Sequence, residues 1–290
     1  MPRNILFLLF TISTVILFYS PLREIVHLSF KSELYSHVIL IPLISGYFFY
    51  VRRKSLFLEV STSILPGTAI AVFGSILYAI GLSQGMELNQ NDWLSIMIFS
   101  AVTLWIGGVI LFYGIQTFRV AAFPLLFLFF LTPIPSALIE NLILLLQIGS
   151  TEATHLFFKL TGVPVLREGF TFHLTGLSIE VAKQCSGIRS SIALVITSII
   201  AGQLFLQTGW KRLILVLSIF PITLFKNGLR IVTLTLLGTY VDERILGSQL
   251  HKSGGIPFFV VALALLAPVL WFLRKSEKKS LAEHAEIMEK

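Results

Sequence analysis

The sequence predicts an all-α, multi-pass membrane protein of about eight spans, with a re-entrant or amphipathic helix and a short external β-hairpin. Three observations lead there. Of 290 residues, 55% are hydrophobic and only 13% charged, where a soluble domain carries roughly 25% charge. The apolar residues fall in runs of about 20, the length that crosses a hydrocarbon core. The basic residues sit in short clusters at the ends of those runs. A soluble enzyme, a disordered chain and a disulfide-rich secreted domain are excluded. The net charge of +7 sets membrane orientation, and its scatter over run ends does not build a groove for a nucleic acid.

Taken in order, the spans fall at about 4–20, 35–51, 64–82, 93–113, 119–135, 189–207, 211–237 and 255–273. Arg3 precedes the first run without a small-residue cleavage site after it, so that run is expected as a retained helix. Arg52, Arg53 and Lys54 put the end of the second span in the cytoplasm. Alternation then puts Arg119, Lys211, Arg212 and the basic stretch from Arg274 inside, whereas the outer loop 81–92 has no Lys or Arg. That agreement holds if 138–161 does not cross. This stretch follows the Pro133-Ile134-Pro135 break and carries Glu140, Asn141, Gln147, Glu152 and His155. It is therefore expected as a re-entrant or interface-lying amphipathic helix. Segment 162–184, with Gly/Pro punctuation and β-type alternation, is expected as an external hairpin. Residues 1–275 read as a single membrane domain and 276–290 as a charged cytoplasmic tail, so both termini are cytoplasmic.

Three places carry chemistry. Cys185 is the single cysteine, which excludes an internal disulfide. A lone cysteine is commonly a small apolar filler. This one precedes Ser186-Gly187-Ile188-Arg189 at the start of a helix. There the free N–H groups and the positive end of the helix dipole favour a thiolate nucleophile. Gly187 permits close approach of another backbone, and Arg189 adds a cation one turn on.

Lys226, Asn227 and Arg230 interrupt the run 211–237. A cation at mid-membrane costs about 2.5–3.5 kcal/mol, against about 0.3–0.6 returned by each Leu or Ile. Arg230 lies about 28 Å along the helix from Lys211 at 1.5 Å per residue, close to the outer interface. It either snorkels to headgroups or, with Asn227-Gly228 beside it, faces a polar pocket and holds a carboxylate or an oxyanion. His251, at the outer entry to the last span, reaches the same membrane face as Cys185 and Arg230. Thiol, guanidinium and imidazole together make an acyl-transfer site, with His251 as general base and then acid. His37, opening the second span from the same side, is a further lining candidate or an ordinary cap. His155 and His173 read as structural or surface residues. His37, His173 and His251 lack the spacing of a zinc site, and the chemistry calls for no metal and no cofactor.

In that order, Cys185-Ser186-Gly187-Ile188-Arg189, Asn227-Gly228-Leu229-Arg230-Ile231 and His251 resemble the exosortase/archaeosortase family. The stretches YSHVILIPLIS (35–45), FLTPIP (130–135) and GVPVLREG (162–169) support the likeness, which runs over about 33–273. The resemblance implies a membrane cysteine transpeptidase with a Cys–Arg–His triad. Cys185 would be the nucleophile, His251 the acid/base partner, and Arg230 would stabilise the oxyanion or orient substrate. It further implies exported protein substrates whose C-terminal signal joins a short motif (often Pro-Glu-Pro), a transmembrane helix and a basic cluster. The acyl acceptor is left open.

Three functions are therefore in competition. The first is a protein-sorting transpeptidase on the outer face of a bacterial cytoplasmic membrane. The second is a purely hydrolytic intramembrane cysteine protease. The third is a non-catalytic transporter or assembly subunit for surface polysaccharide, in which Lys226, Asn227 and Arg230 would line an anion pathway. Besides membrane lipid, the expected partners are the signal-bearing proteins.

Overall fold

The computed structural model describes residues 2–56, 61–85, 87–242, 244 and 255–288. They form two compact units, Met1–Ile139 and Glu140–Lys290.

In the first unit, α1 (Pro2–Leu17) and α2 (Tyr19–Lys31) meet at a 67° bend, with the Phe18 side chain fully buried at the corner. The sequence reading stops near residue 20 because α2 is amphipathic. It buries Pro21, Ile25 and Ser29 and carries Arg23, Glu24, His27 and Lys31 between them, so its average hydropathy is low. A 3-10 turn, Glu33–Ile39, leads into α3 (Leu40–Leu56), followed by α4 (Ile64–Ser83) and α5 (Gln90–Val120). The side chain of Asn89 caps α5 by accepting from the Asp92 N–H at 2.9 Å. Helical geometry in α5 is broken at Gly114, close to the expected end at 113.

Helices α4 and α5 are pressed together on small residues. A Cβ at Gly74 would lie 2.7 Å from the Leu104 nitrogen, and one at Gly107 would lie 2.8 Å from the Ala71 Cα. Ser100 donates across the seam to the Gly74 carbonyl at 2.7 Å. This is how helices associate where lipid removes the hydrophobic drive between them. After α6 (Ala122–Phe127) and a 3-10 turn to Leu131, the prolines end the helix, as expected. The loop they form is held at the start of α5: Asn91 donates to the Ile134 carbonyl at 2.8 Å, Ser95 to that of Pro133 at 2.8 Å, and the Ser136 N–H to Asp92 at 2.6 Å.

The second unit starts within α7 (Ser136–Thr161), which follows the proline break. Glu140, Asn141, Glu152 and Lys159 of α7 are exposed, but other polar residues of the helix face inward. Gln147, Ser150, Thr151 and Thr154 are buried, while Leu144, Leu145, Ile148 and Leu156 are exposed. The expected hairpin is a three-stranded antiparallel sheet: β1 (Leu166–Glu168), β2 (Thr171–Leu174) and β3 (Leu177–Glu180). Strands β2 and β3 pair, with Phe172 opposite Ile179. The added β1 is three residues long, too short to show as alternation. Phe172, Leu174 and Val181 pack with Phe158 of α7 and with Ile231 and Val232.

Beyond the sheet come α8 (Ile188–Phe205), α9 (Gly209–Leu217), α10 (Ile219–Tyr240) and α11 (Gly255–Met288). Their shared core includes Leu194, Leu215, Ile222, Ala262 and Leu266. Arg212 donates to the Leu206 carbonyl at the end of α8, and Glu277 accepts from the Gln207 and Thr208 N–H groups at 2.9 and 2.7 Å. The expected charged tail is thus a continuation of α11, tied back by Glu277. Among the described residues, six helices are long and apolar enough to span a membrane, or up to eight if each bent pair is one span. The protein is a multi-pass membrane protein.

Candidate functional site

The chain leaves β3 through a tight 3-10 turn, Lys183–Cys185, that carries the only cysteine to the start of α8. The Cys185 N–H donates to the Ala182 carbonyl at 2.8 Å. Gly187 then takes φ +81°, a left-handed conformation that strains any residue with a Cβ. This reversal turns the Gly187 carbonyl into α8, where it accepts from the Ser191 N–H at 3.0 Å, the Ser190 hydroxyl at 2.9 Å and the Ser191 hydroxyl at 2.8 Å.

Helix α10 lies behind this turn. Gly228 lets it press on α7, since a Cβ there would meet the Ala153 Cβ at 2.8 Å. Asn227, with no exposed surface, donates from Nδ2 to the carbonyl of Cys185 at 2.6 Å and to the Ser150 hydroxyl of α7 at 2.9 Å. Lys226 is 2% exposed, and its ammonium donates to the Ser190 hydroxyl of α8 at 2.5 Å. One turn further on, Arg230 faces elsewhere. With Cys185 it lines a cleft of about 390 Å³, part of it open to solvent. Among the described residues, Ile179 and Glu180 of β3 and Ile231, Leu234 and Thr235 of α10 also line it.

The sequence expectation set Lys226, Asn227 and Arg230 around one polar pocket. The structure separates them: Arg230 lines the cleft, while Lys226 and Asn227 are bonded to the turn and helix that carry the cysteine. Arg189 is exposed on the first turn of α8 and is not among the lining residues. His37 belongs to the first unit, where its ring lies beside the backbone of Leu34 and Phe130. His251 lies outside the described residues. His155 and His173 join polar contacts around the sheet, His155 beside Arg167 at 3.3 Å and His173 beside Ser178 at 2.8 Å.

Sequence reasoning missed Glu180 and Ser150. A signal for Glu180 existed: it is the sole acidic residue between Glu168 and Asp242, five positions before the cysteine. Ser150 gave none, because its role comes from the face that α7 turns inward.

Chemically, the arrangement offers a thiol at a cleft with an apolar wall, one guanidinium and one carboxylate. A guanidinium in the same cleft as a thiol suits addition to a carbonyl, where negative charge develops on oxygen. No curated protein and no solved structure matches the chain. The family model described as transmembrane exosortase (Exosortase_EpsH) matches residues 28–268, and the chain belongs to that family.

Proposed function

We propose that this protein is a cysteine transpeptidase that removes the C-terminal sorting signal of exported proteins through a thioester on Cys185. The observation that carries this reading is that, in a chain of the exosortase family, the only cysteine shares a cleft with Arg230. The sulfur attacks the carbonyl of the signal's scissile peptide bond, and Arg230 offsets charge on the tetrahedral oxygen. Collapse of that intermediate breaks the C–N bond. The tail leaves as an amine that takes a proton, for which His251 is the donor on the family's pattern. The acyl group, now a thioester, passes to an amine or hydroxyl acceptor, or to water, and the thiol is regenerated.

The substrate's own helix enters among the spans, and the reaction belongs at the outer face of a bacterial cytoplasmic membrane. Hydrolysis without transfer uses the same acyl-enzyme and differs only in the last step. The transporter reading is less well supported. It needs Lys226, Asn227 and Arg230 along one path, and two of the three are engaged by Ser190, Ser150 and the Cys185 carbonyl.

The test is mass spectrometry of a protein ending in motif, apolar helix and basic cluster, recovered from cells with wild-type or Cys185→Ala enzyme. Tail loss only with the wild type is expected, and any added mass identifies the acceptor. Identical products from the two strains would overturn the proposal.

A further inference from the structure

We infer that Asn227 is a positioning residue that fixes the thiol of Cys185 in the field of Arg230. The inference rests on the reading of Cys185 as nucleophile for its significance, but not for its test.

The Asn227 amide is fully buried, and its orientation is determined by chemistry: a carbonyl only accepts, so the group facing the Cys185 carbonyl must be the NH₂. That same NH₂ donates to Ser150, which fastens the side chain to α7. The other end of the amide, Oδ1, is buried without a hydrogen-bond partner among the described residues. Leaving a buried acceptor unmet costs free energy that an apolar side chain of the same size would not incur. The amide is therefore a poor choice for packing alone, and what it contributes is the grip on the cysteine's carbonyl.

Asn227 and Arg230 are three residues apart on one helix, a rise of about 4.5 Å. Gripping the Cys185 carbonyl from Asn227 therefore ties the cysteine's backbone to the helix that carries the guanidinium. Gly187 completes the fit, since a Cβ at that position would lie 3.3 Å from both Cγ and Oδ1 of Asn227. The amide fills the space that the glycine leaves. The turn that carries the thiol is thus bonded directly to the helix that carries the guanidinium.

Because the chain has a single cysteine, alkylation of the full-length protein in detergent reports on Cys185 alone. The measurement is the ratio of its alkylation rates by anionic iodoacetate and neutral iodoacetamide, with glutathione as reference. A guanidinium beside the thiol raises that ratio, by about five- to tenfold for a partly solvated charge pair. Arg230→Gln should remove most of the excess. Asn227→Leu, which keeps the volume and removes the donor, should lower the ratio nearly as far with Arg230 intact. The double variant should go no lower than Arg230→Gln. Ser150→Ala, which frees one anchor of the amide, should give a smaller shift in the same direction and keeps the test open if Asn227→Leu does not fold.

A purely structural Asn227 would lower the melting temperature and leave the ratio at the wild-type value. That result in either folded variant, or an Arg230→Gln ratio equal to wild type, would overturn the inference. None of these readings needs the enzyme to process a substrate, so they stand apart from the test of the proposed function.

Discussion

The seam between α4 and α5 in the first unit and the contact of α10 with α7 and α8 in the second solve one problem in opposite ways. In the first, backbones approach over Gly74 and Gly107, and one serine bonds across. In the second, a glycine also brings backbones close, at Gly228, but polar side chains are buried around it: Lys226, Asn227, Ser150 and Thr154. Buried polar groups cost stability unless bonded, and they gain directionality when they are. The first arrangement gives a tight seam. The second gives a fixed place for a turn that carries a thiol. The difference teaches that polarity inside the second unit serves geometry.

Substitutions that separate packing from geometry sharpen that contrast. Arg230→Lys keeps the charge and loses the planar fork. If Arg230 supplies an oxyanion donor, processing of a signal-bearing protein should fall about 100- to 1000-fold with an unchanged melting curve. Gly107→Val tests the other region. Its added carbons enter the Ala71 backbone, so it should cost about 1–3 kcal/mol in thermal unfolding while the alkylation rate of Cys185 in the folded fraction stays at the wild-type value. Coupled loss of both would break the comparison.

Gly187→Ala combines the two effects at one position. The methyl group meets a positive φ and the Asn227 amide together, so a cost of about 1–2 kcal/mol in stability is expected, together with slower labelling of the thiol. Smallest is Glu180→Gln, which retains shape at an exposed position of the cleft wall. It should change processing by less than about tenfold, or 1.4 kcal/mol, measured as initial rates. A change as large as that of Arg230→Lys would assign the carboxylate a direct part in the chemistry.

What the sequence discloses follows from what each element owes to its own residues. Spans such as α4 and α5 are readable as apolar runs because lipid and core both demand apolar surface. Helix α2 escapes that test, since only one of its faces is buried. The amphipathy of α7 is visible in its sequence, yet its direction is not. Glu140 and Glu152 face outward while Gln147 and Ser150 face inward, where the Val181 carbonyl and Asn227 are their partners.

Cys185 and Arg230 stand out because a cysteine beside a glycine turn and a cation within an apolar run both violate local expectation. Their shared cleft needs the fold. Lys226 and Asn227 stand out for the same reason, but the direction of each side chain is a tertiary matter, and so a single expected pocket became a cleft and a clasp. Glu180 reaches the cleft only because β3 runs directly into the cysteine turn.

On the proposed mechanism, Cys185 carries the acyl group. The most direct test is intact-mass measurement of the enzyme mixed with a signal-bearing substrate and quenched in acid during turnover. The expected result is an adduct equal to the substrate without its tail, localised to Cys185, released by neutral hydroxylamine and absent from Cys185→Ala. Tail removal by Cys185→Ala at the wild-type rate, or an adduct on any other residue, would contradict it.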